Sequence, residues 1–361
     1  MTSAMISEVY VGGLTSFRDM EIDLGPLTVL VGANGSGKSN FVRALELLGR
    51  IVDGDLQLFV ELSGGASALL RQPNARGEMQ LAVRTASSEY AVTLSQTSDD
   101  RLIFLTDQVS RADGPFRRTD SRSGLRESDL FGEADSADET AEIRSPLSGC
   151  RVFHFSDTGT TAPVKAAGPT ADNLSLRPDA RNLAAILLGL RDSDEHAYRR
   201  IVAAVQMVAP YFRDFVLVPE GRDQIRLRWR QVGTDTVFSA YQMSDGTLRF
   251  ICLATLLLQP KPPRMLVLDE PELGLHPFAI VQVADMIRAA SVNSQVVVAT
   301  QSVTLVDQMS LEDIVVVDRD NGASVLTRPD PERLSAWLED YSLGELWQKN
   351  LIGGRPHREA A

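Results

Sequence analysis

The sequence predicts an α/β fold with a mixed, mainly parallel central sheet, an antiparallel β lobe and an inserted helical lobe. Three observations predict it. A glycine-rich stretch, Gly32-Ala33-Asn34-Gly35-Ser36-Gly37-Lys38-Ser39, follows an apolar run at residues 27–31 and precedes an amphipathic one. A second apolar run, Met265-Leu266-Val267-Leu268, ends in two acids, Asp269 and Glu270. Beyond residue 265, strand-length apolar runs alternate with helix-length amphipathic ones, the pattern of parallel strands flanked by helices.

Taken in order, residues 6–11 alternate weakly, 20–24 alternate with Met20, Ile22 and Leu24 apolar, and 27–31 form a buried-type run, so the chain opens with strands. A helix follows at about residues 39–48, with Phe41, Ala44, Leu45 and Leu48 on one face and Gly49 placed to cap it. Strand patterns return at 81–83, 90–94 and 102–105, which make an antiparallel lobe. Residues 111–149 are rich in Ser, Asp, Glu, Arg and Gly and predict a mobile insertion. A strand at 151–155, helices at 182–190 and 195–208, and strands at 215–218 and 224–231 follow. The last third reads strand 265–268, helix 278–290, strand 295–299, helix 303–309 and strand 314–317. The expected organisation is a first part of the core with the glycine-rich loop and β lobe (1–110), the insertion (111–149), a helical and β lobe (150–240), a second part of the core (241–330), and C-terminal helices with a basic tail (331–361). No heptad is sustained, so no long coiled coil is expected.

The 361 residues are 43% hydrophobic, enough to bury a sizeable core. No apolar run approaches the roughly 20 residues of a membrane helix, and the first residues lack the pattern of a signal peptide. Cys150 and Cys252 are far apart and form no ligand spacing, which argues against zinc and a disulfide framework. A cytoplasmic protein without membrane contact is expected. The net charge of −12 argues against a surface coated for non-specific DNA binding, while leaving a local basic groove open. Arg226, Arg228 and Arg230 alternate with Ile225, Leu227 and Trp229. Period two puts the three arginines on one strand face, either a phosphate-contact stripe or the solvated side of an amphipathic strand.

The glycine-rich loop has the G-x4-G-K-S form of a phosphate loop. Its glycines let successive N–H groups point at phosphate oxygens, and the helix start adds favourable potential for an anion. Lys38 would reach the β- and γ-phosphates of ATP, and Ser39 would place its hydroxyl on Mg2+. Asp269 and Glu270 stand at the carboxyl end of a strand, where ligands of such sheets bind. Asp269 would hold Mg2+, and Glu270 would orient the attacking water. Ser244-Asp245-Gly246-Thr247 precedes a strong helix and offers a hydroxyl and backbone N–H groups, a second phosphate cradle. One nucleotide does not need two cradles in one chain, so the second would grip the γ-phosphate bound to another copy.

These segments resemble the ATP-binding-cassette ATPases of the RecF/SMC-like branch, a P-loop NTPase fold, within a bacterial group of predicted RecF-like ATPases. The resemblance covers most of the chain. It runs through Gly32 to Asn40, Ser244 to Phe250, Leu268 to Pro277, Ala299-Thr300-Gln301-Ser302 and Leu346-Trp347-Gln348-Lys349-Asn350. It implies ATP hydrolysis with Mg2+ by a homodimer sandwiching two ATP molecules, with Glu272 to His276 as the loop coupling the two sites. Gln301 stands at the switch position, where transporters of this class carry His; Gln can hydrogen-bond but cannot take a proton as His can. The family's magnesium-sensing glutamine has no direct counterpart after the 151–155 strand; Asp157 or His154 would substitute there, with Gln108 as an alternative. RecF-like relatives imply DNA repair or genome maintenance, and others of the branch imply anti-phage defence with a nuclease or other effector partner. A different class of function, an ATP-loaded clamp or sensor with little turnover, shares the same binding residues.

Overall fold

The computed structural model describes residues 5–74, 76–112, 124–131 and 138–354. In chain order the elements are β1 (Glu8–Leu14), β2 (Phe17–Asp23), β3 (Leu27–Val31), α1 (Lys38–Val52), α2 (Leu56–Leu62), α3 (Ala66–Leu69), β4 (Glu78–Arg84), β5 (Ser88–Gln96), β6 (Leu102–Arg111), α4 (Asp138–Leu147) and β7 (Val152–Phe153). There follow β8 (Gly168–Pro169), α5 (Leu183–Ser193), α6 (Glu195–Val208), β9 (Phe212–Phe215), β10 (Gln224–Ile225), β11 (Arg228–Gln231), β12 (Val237–Ser239) and α7 (Asp245–Leu258). The chain ends with β13 (Met265–Asp269), α8 (Pro277–Ala290), β14 (Gln295–Thr300), α9 (Val303–Val306), β15 (Ile314–Asp320), β16 (Ala323–Thr327), α10 (Pro331–Leu338) and α11 (Leu343–Gln348). Two compact units form: Met1–Val152 with Pro263–Asp269 and Asn293–Ala361, and Phe153–Pro262 with Glu270–Val292.

The first unit holds two sheets. One is antiparallel, in the order β2-β1-β4-β5-β6, and the other runs β16-β15-β3-β14-β13-β7. In the second, β13, β14, β3 and β15 pair in parallel, while β16 pairs antiparallel with β15. Every residue of β3, β13 and β14 is buried, which is why these strands read as unbroken apolar runs. The apolar face of α1 packs on β13 and β14, and the Phe41 ring meets Phe17 edge-on at 6.4 Å. In the second unit α6 packs on α7 and α7 on α8. The three-stranded sheet β12-β11-β9 beside them is pinned by rings, with Trp229 stacked on Phe238 at 5.0 Å. Among the described residues α1, with 15, is the longest helix, and no helix is long and apolar enough to cross a membrane.

Several sequence expectations change, and the strand expected at 215–218 lies at Phe212–Phe215. Gly49 does not cap α1, which runs on to Val52 and closes at Asp53. A Cβ at Gly49 would stand 2.7 Å from the Cys150 carbonyl oxygen, so the glycine makes room for the returning chain. β6 extends to Arg111, which puts Gln108 inside a strand opposite Ala91 and not in a sensing loop. The helix expected at 303–309 stops at Val306. The arginine strand is broken between β10 and β11; Arg226 and Arg228 both lie 3.9 Å from Glu220, with Ile225, Leu227 and Trp229 buried behind them. Those contacts make it the polar side of an amphipathic segment. Within 111–149, residues 113–123 and 132–137 lie outside the described residues, while α4 buries Ile143 and Leu147. Residues 355–361 of the basic tail are likewise outside them.

Candidate nucleotide site

Three adjacent parallel strands in the first unit end together. Val31 pairs with Thr300 and Ala299 with Asp269, so the Gly32 loop, Gln301 and Asp269 emerge side by side at the carboxyl edge. The loop's shape excludes side chains. A Cβ on Gly32 would meet the Val317 carbonyl oxygen, and one on Gly37, at φ 119°, would meet the Ser324 hydroxyl. Lys38 is buried and donates from Nζ to the carbonyl oxygens of Gly32 at 2.8 Å and Ala33 at 3.0 Å. Helix α1 starts without an acid in its first turn, so nothing there opposes an anion at its N-terminus. Ser39 is exposed at that end.

Asp269 ends β13, is 9% exposed, and its Oδ1 is buried without a hydrogen-bond partner. A buried carboxylate oxygen left without a donor is costly unless a cation or water completes it. Among the described residues no three His, Cys, Asp or Glu side chains gather as a metal cage. A single carboxylate with an unpartnered oxygen, at a strand end in the same sheet as the strand leading into the glycine-rich loop, suits Mg2+, which keeps waters and takes few protein ligands. Glu270 follows with a left-handed backbone, φ 48°. A cavity of about 400 Å³ opens beside the loop, lined among others by Ala33, Asn34, Gln301, Val303, Trp347 and Gln348. A larger cavity of about 890 Å³ in the second unit, lined by Leu174, Ile186 and Lys261 among others, contains none of the predicted residues.

Sequence reasoning missed the brace behind the loop. Ser324 Oγ donates to the Ser36 carbonyl oxygen and shares a second hydrogen bond with the Ser16 hydroxyl at 2.6 Å. Asn40 Nδ2 donates to Ser16 Oγ at 2.8 Å, so this predicted nucleotide ligand is engaged in the brace. Arg71 donates to the carbonyl oxygens of Ser16 at 2.7 Å and Gly322 at 2.8 Å, and Arg319 reaches that of Gly35 at 3.3 Å. Burial first, then the charges of Arg18 and Arg319, holds the Arg71 pKa below its usual value. No local motif marks positions 16, 71 or 324.

In the second unit, Ser244 caps α7: its Oγ accepts from Thr247 N at 3.2 Å and donates to Thr247 Oγ1 at 2.8 Å. Tyr211 Oη lies 3.0 Å from the same Thr247 hydroxyl. Asp245 is exposed, with the buried Lys165 ammonium 3.6 Å away. Gly246 has a packing reason of its own, since a Cβ there would stand 2.7 Å from the Gly274 carbonyl oxygen. Asp157 is exposed and accepts from Gly159 N at 3.2 Å, and His154 is exposed.

A family model described as "AAA domain, putative AbiEii toxin, Type IV TA system" matches residues 27–307. No curated protein matches the chain. Among solved structures it is similar to an Smc head bound to the C-winged helix domain of ScpA, at 18% identity over 89% of this chain and 97% of that one, with a TM-score of 0.61. It is similar to an Smc head domain with an extended coiled coil bound to the C-terminal domain of ScpA, derived from Pyrococcus furiosus: 17% identity, 93% and 99% covered, TM-score 0.60. An Smc head domain with a coiled coil and joint from Pyrococcus yayanosii gives 13% identity, 93% and 99% covered, and a TM-score of 0.58. At these identities the likeness is one of fold.

Proposed function

The chain belongs to the AAA-domain family whose model spans residues 27–307 and has the fold of an SMC/RecF-like ABC-type ATPase, and on that premise we propose that it hydrolyses ATP as a homodimer closed around two nucleotides. The observation that carries the reading is the juxtaposition, at three neighbouring strand ends, of the phosphate loop with an Asp269 oxygen that lacks a partner.

N–H groups of Gly35 to Ser39 surround the β-phosphate, and Lys38 leaves the carbonyls of Gly32 and Ala33 to reach the terminal phosphates. Ser39 and Asp269 would hold Mg2+, which when bound would neutralise phosphate charge. Glu270 orients the attacking water and Gln301 hydrogen-bonds the water or the γ-phosphate. Ser244, Gly246 and Thr247, with Asp245 paired to Lys165, present the N-terminus of α7 to the γ-phosphate held by the second copy. Asp157 or His154 would serve as the magnesium-sensing residue. Closure is coupled to a partner protein in a DNA-related task, either repair and genome maintenance or anti-phage defence; the family's description and the ScpA-bound Smc heads support a protein partner.

The test is ATP turnover with and without DNA. Wild type is expected to turn over ATP, and Glu270→Gln to lose turnover by about 100-fold or more while accumulating an ATP-dependent dimer. Ser244→Arg is expected to bind ATP at Lys38 and remain a monomer. No wild-type turnover under any condition would favour the clamp, and a monomeric Glu270→Gln protein would end the paired-site reading. A pull-down with Glu270→Gln and ATP identifies the partner.

A further inference from the structure

Arg249 projects from the second turn of α7 and is only 7% exposed. Its Nε donates to the Phe155 carbonyl oxygen at 2.9 Å, and Nη2 donates to that of Ser156 at 3.0 Å. Nη1 donates to the carbonyl oxygen of Leu273. One guanidinium thus ties α7 to two loops that are far apart in sequence. No other side chain could do this: the planar fork carries five donors, whereas a lysine offers one compact ammonium and a glutamine one amide.

The first of these loops does not take its shape freely, whereas the second turns at a glycine that admits positive φ. Phe155 has φ 21° and Gly274 φ 73°, both in the left-handed region. Such a backbone at a bulky residue persists only where its surroundings over-determine it. The packing around Gly274 is equally tight, since a Cβ there would stand 2.7 Å from Arg249 Nη1. Burial holds the Arg249 pKa below its usual value, and the Asp245 carboxylate opposes that shift. Three carbonyls thus solvate a buried cation whose removal would leave them all without a donor.

The three segments joined are those with separate tasks in the proposed reaction. α7 begins at the Ser244 cradle, the 154–158 loop carries Asp157, and the 270–276 loop starts at Glu270. We infer that Arg249 is a positioning residue: it fixes both loops to α7, so that they shift as one body with the Ser244 cradle when the second copy's terminal phosphate arrives there. The inference rests on the paired-site reading above.

Arg249→Lys and Arg249→Gln test it in the full chain. ATP affinity, read with a fluorescent ATP analogue, is expected to stay within about threefold of wild type, while kcat falls about 100-fold, the scale of a misplacement of about 1 Å. A purely structural staple would lower the melting temperature and leave kcat of the folded fraction intact, and that result overturns the inference. If neither variant folds, hydrogen exchange on Glu270→Gln decides. Adding ATP should slow exchange at residues 154–158, 271–276 and 244–250 together; a change confined to one loop overturns it. If wild type shows neither turnover nor ATP-dependent pairing, the paired-site reading itself has failed and the inference falls with it. If wild type does both and the Arg249 variants match it, only the inference falls.

Discussion

Side chains at single positions do two kinds of work in this molecule, and the sequence displays only one of them. Lys38, Asp269 and Ser244 announce themselves because each sits in a recognisable string. Ser16, Arg71 and Ser324 do not, although they fix the outer wall of the same loop. Glu21 on β2 belongs to the silent kind. A hydrogen bond with Glu8 first, then burial and the Glu8 charge, raises its carboxyl from 4.5 to about 7, against the pull of Arg84. The folded protein therefore keeps a proton that the unfolded chain releases. Its contribution to stability is complete below 4.5 and is lost as the pH rises through about 7. The melting temperature of wild type is expected to fall across that window more steeply than that of Glu21→Gln, whose amide never ionises. Parallel curves would show that no such proton is held.

Secondary-structure elements were legible where burial is total. β3, β13 and β14 are apolar throughout, and the start of α1 is written in its loop. Element ends were less legible because they are set by tertiary partners. Gly49 shows how. By propensity alone, alanine in a helix interior should stabilise by about 1 kcal/mol over glycine. Here the added Cβ would lie 2.7 Å from a carbonyl oxygen of Cys150, which is backbone and cannot swing away. Gly49→Ala is expected to destabilise by about 1–3 kcal/mol, the usual cost of overpacking. Chemical denaturation of the variant reads the sign directly. A glycine followed by a charged residue at the end of an amphipathic run gave no hint of this, since a cap and a close approach look alike in sequence. Likewise the 224–231 alternation was legible as an inward apolar row, while the break between β10 and β11 was not.

For the whole molecule, the separation of the matched strings was informative and their assembly was not. The first unit is built from three stretches of chain, with the phosphate loop near one end and its neighbours in the last third. Spacing suggested one fold, but only the pairing registers show that residues 31 and 300, and 299 and 269, end level with each other. The sheet order β15-β3-β14 places β3 between strands that come some 270 residues later, and the Ser324–Ser36 bond spans 288 residues. Pairings so distant are slow to form because loop closure precedes any reward. A chain ending at residue 292 should therefore accumulate in the insoluble fraction, with β3 left without either neighbour; a soluble, folded fragment would contradict this.

The same arrangement bears on synthesis. While a ribosome is still translating the chain, the nucleotide loop is already outside but lacks the Ser324 part of its brace, because Ser324 has not yet been made. A half-made chain therefore carries its glycine-rich loop without the support it has in the finished fold. The distance between Ser36 and Ser324 thus sets an interval in synthesis: only a chain translated past residue 324 holds the loop from both sides.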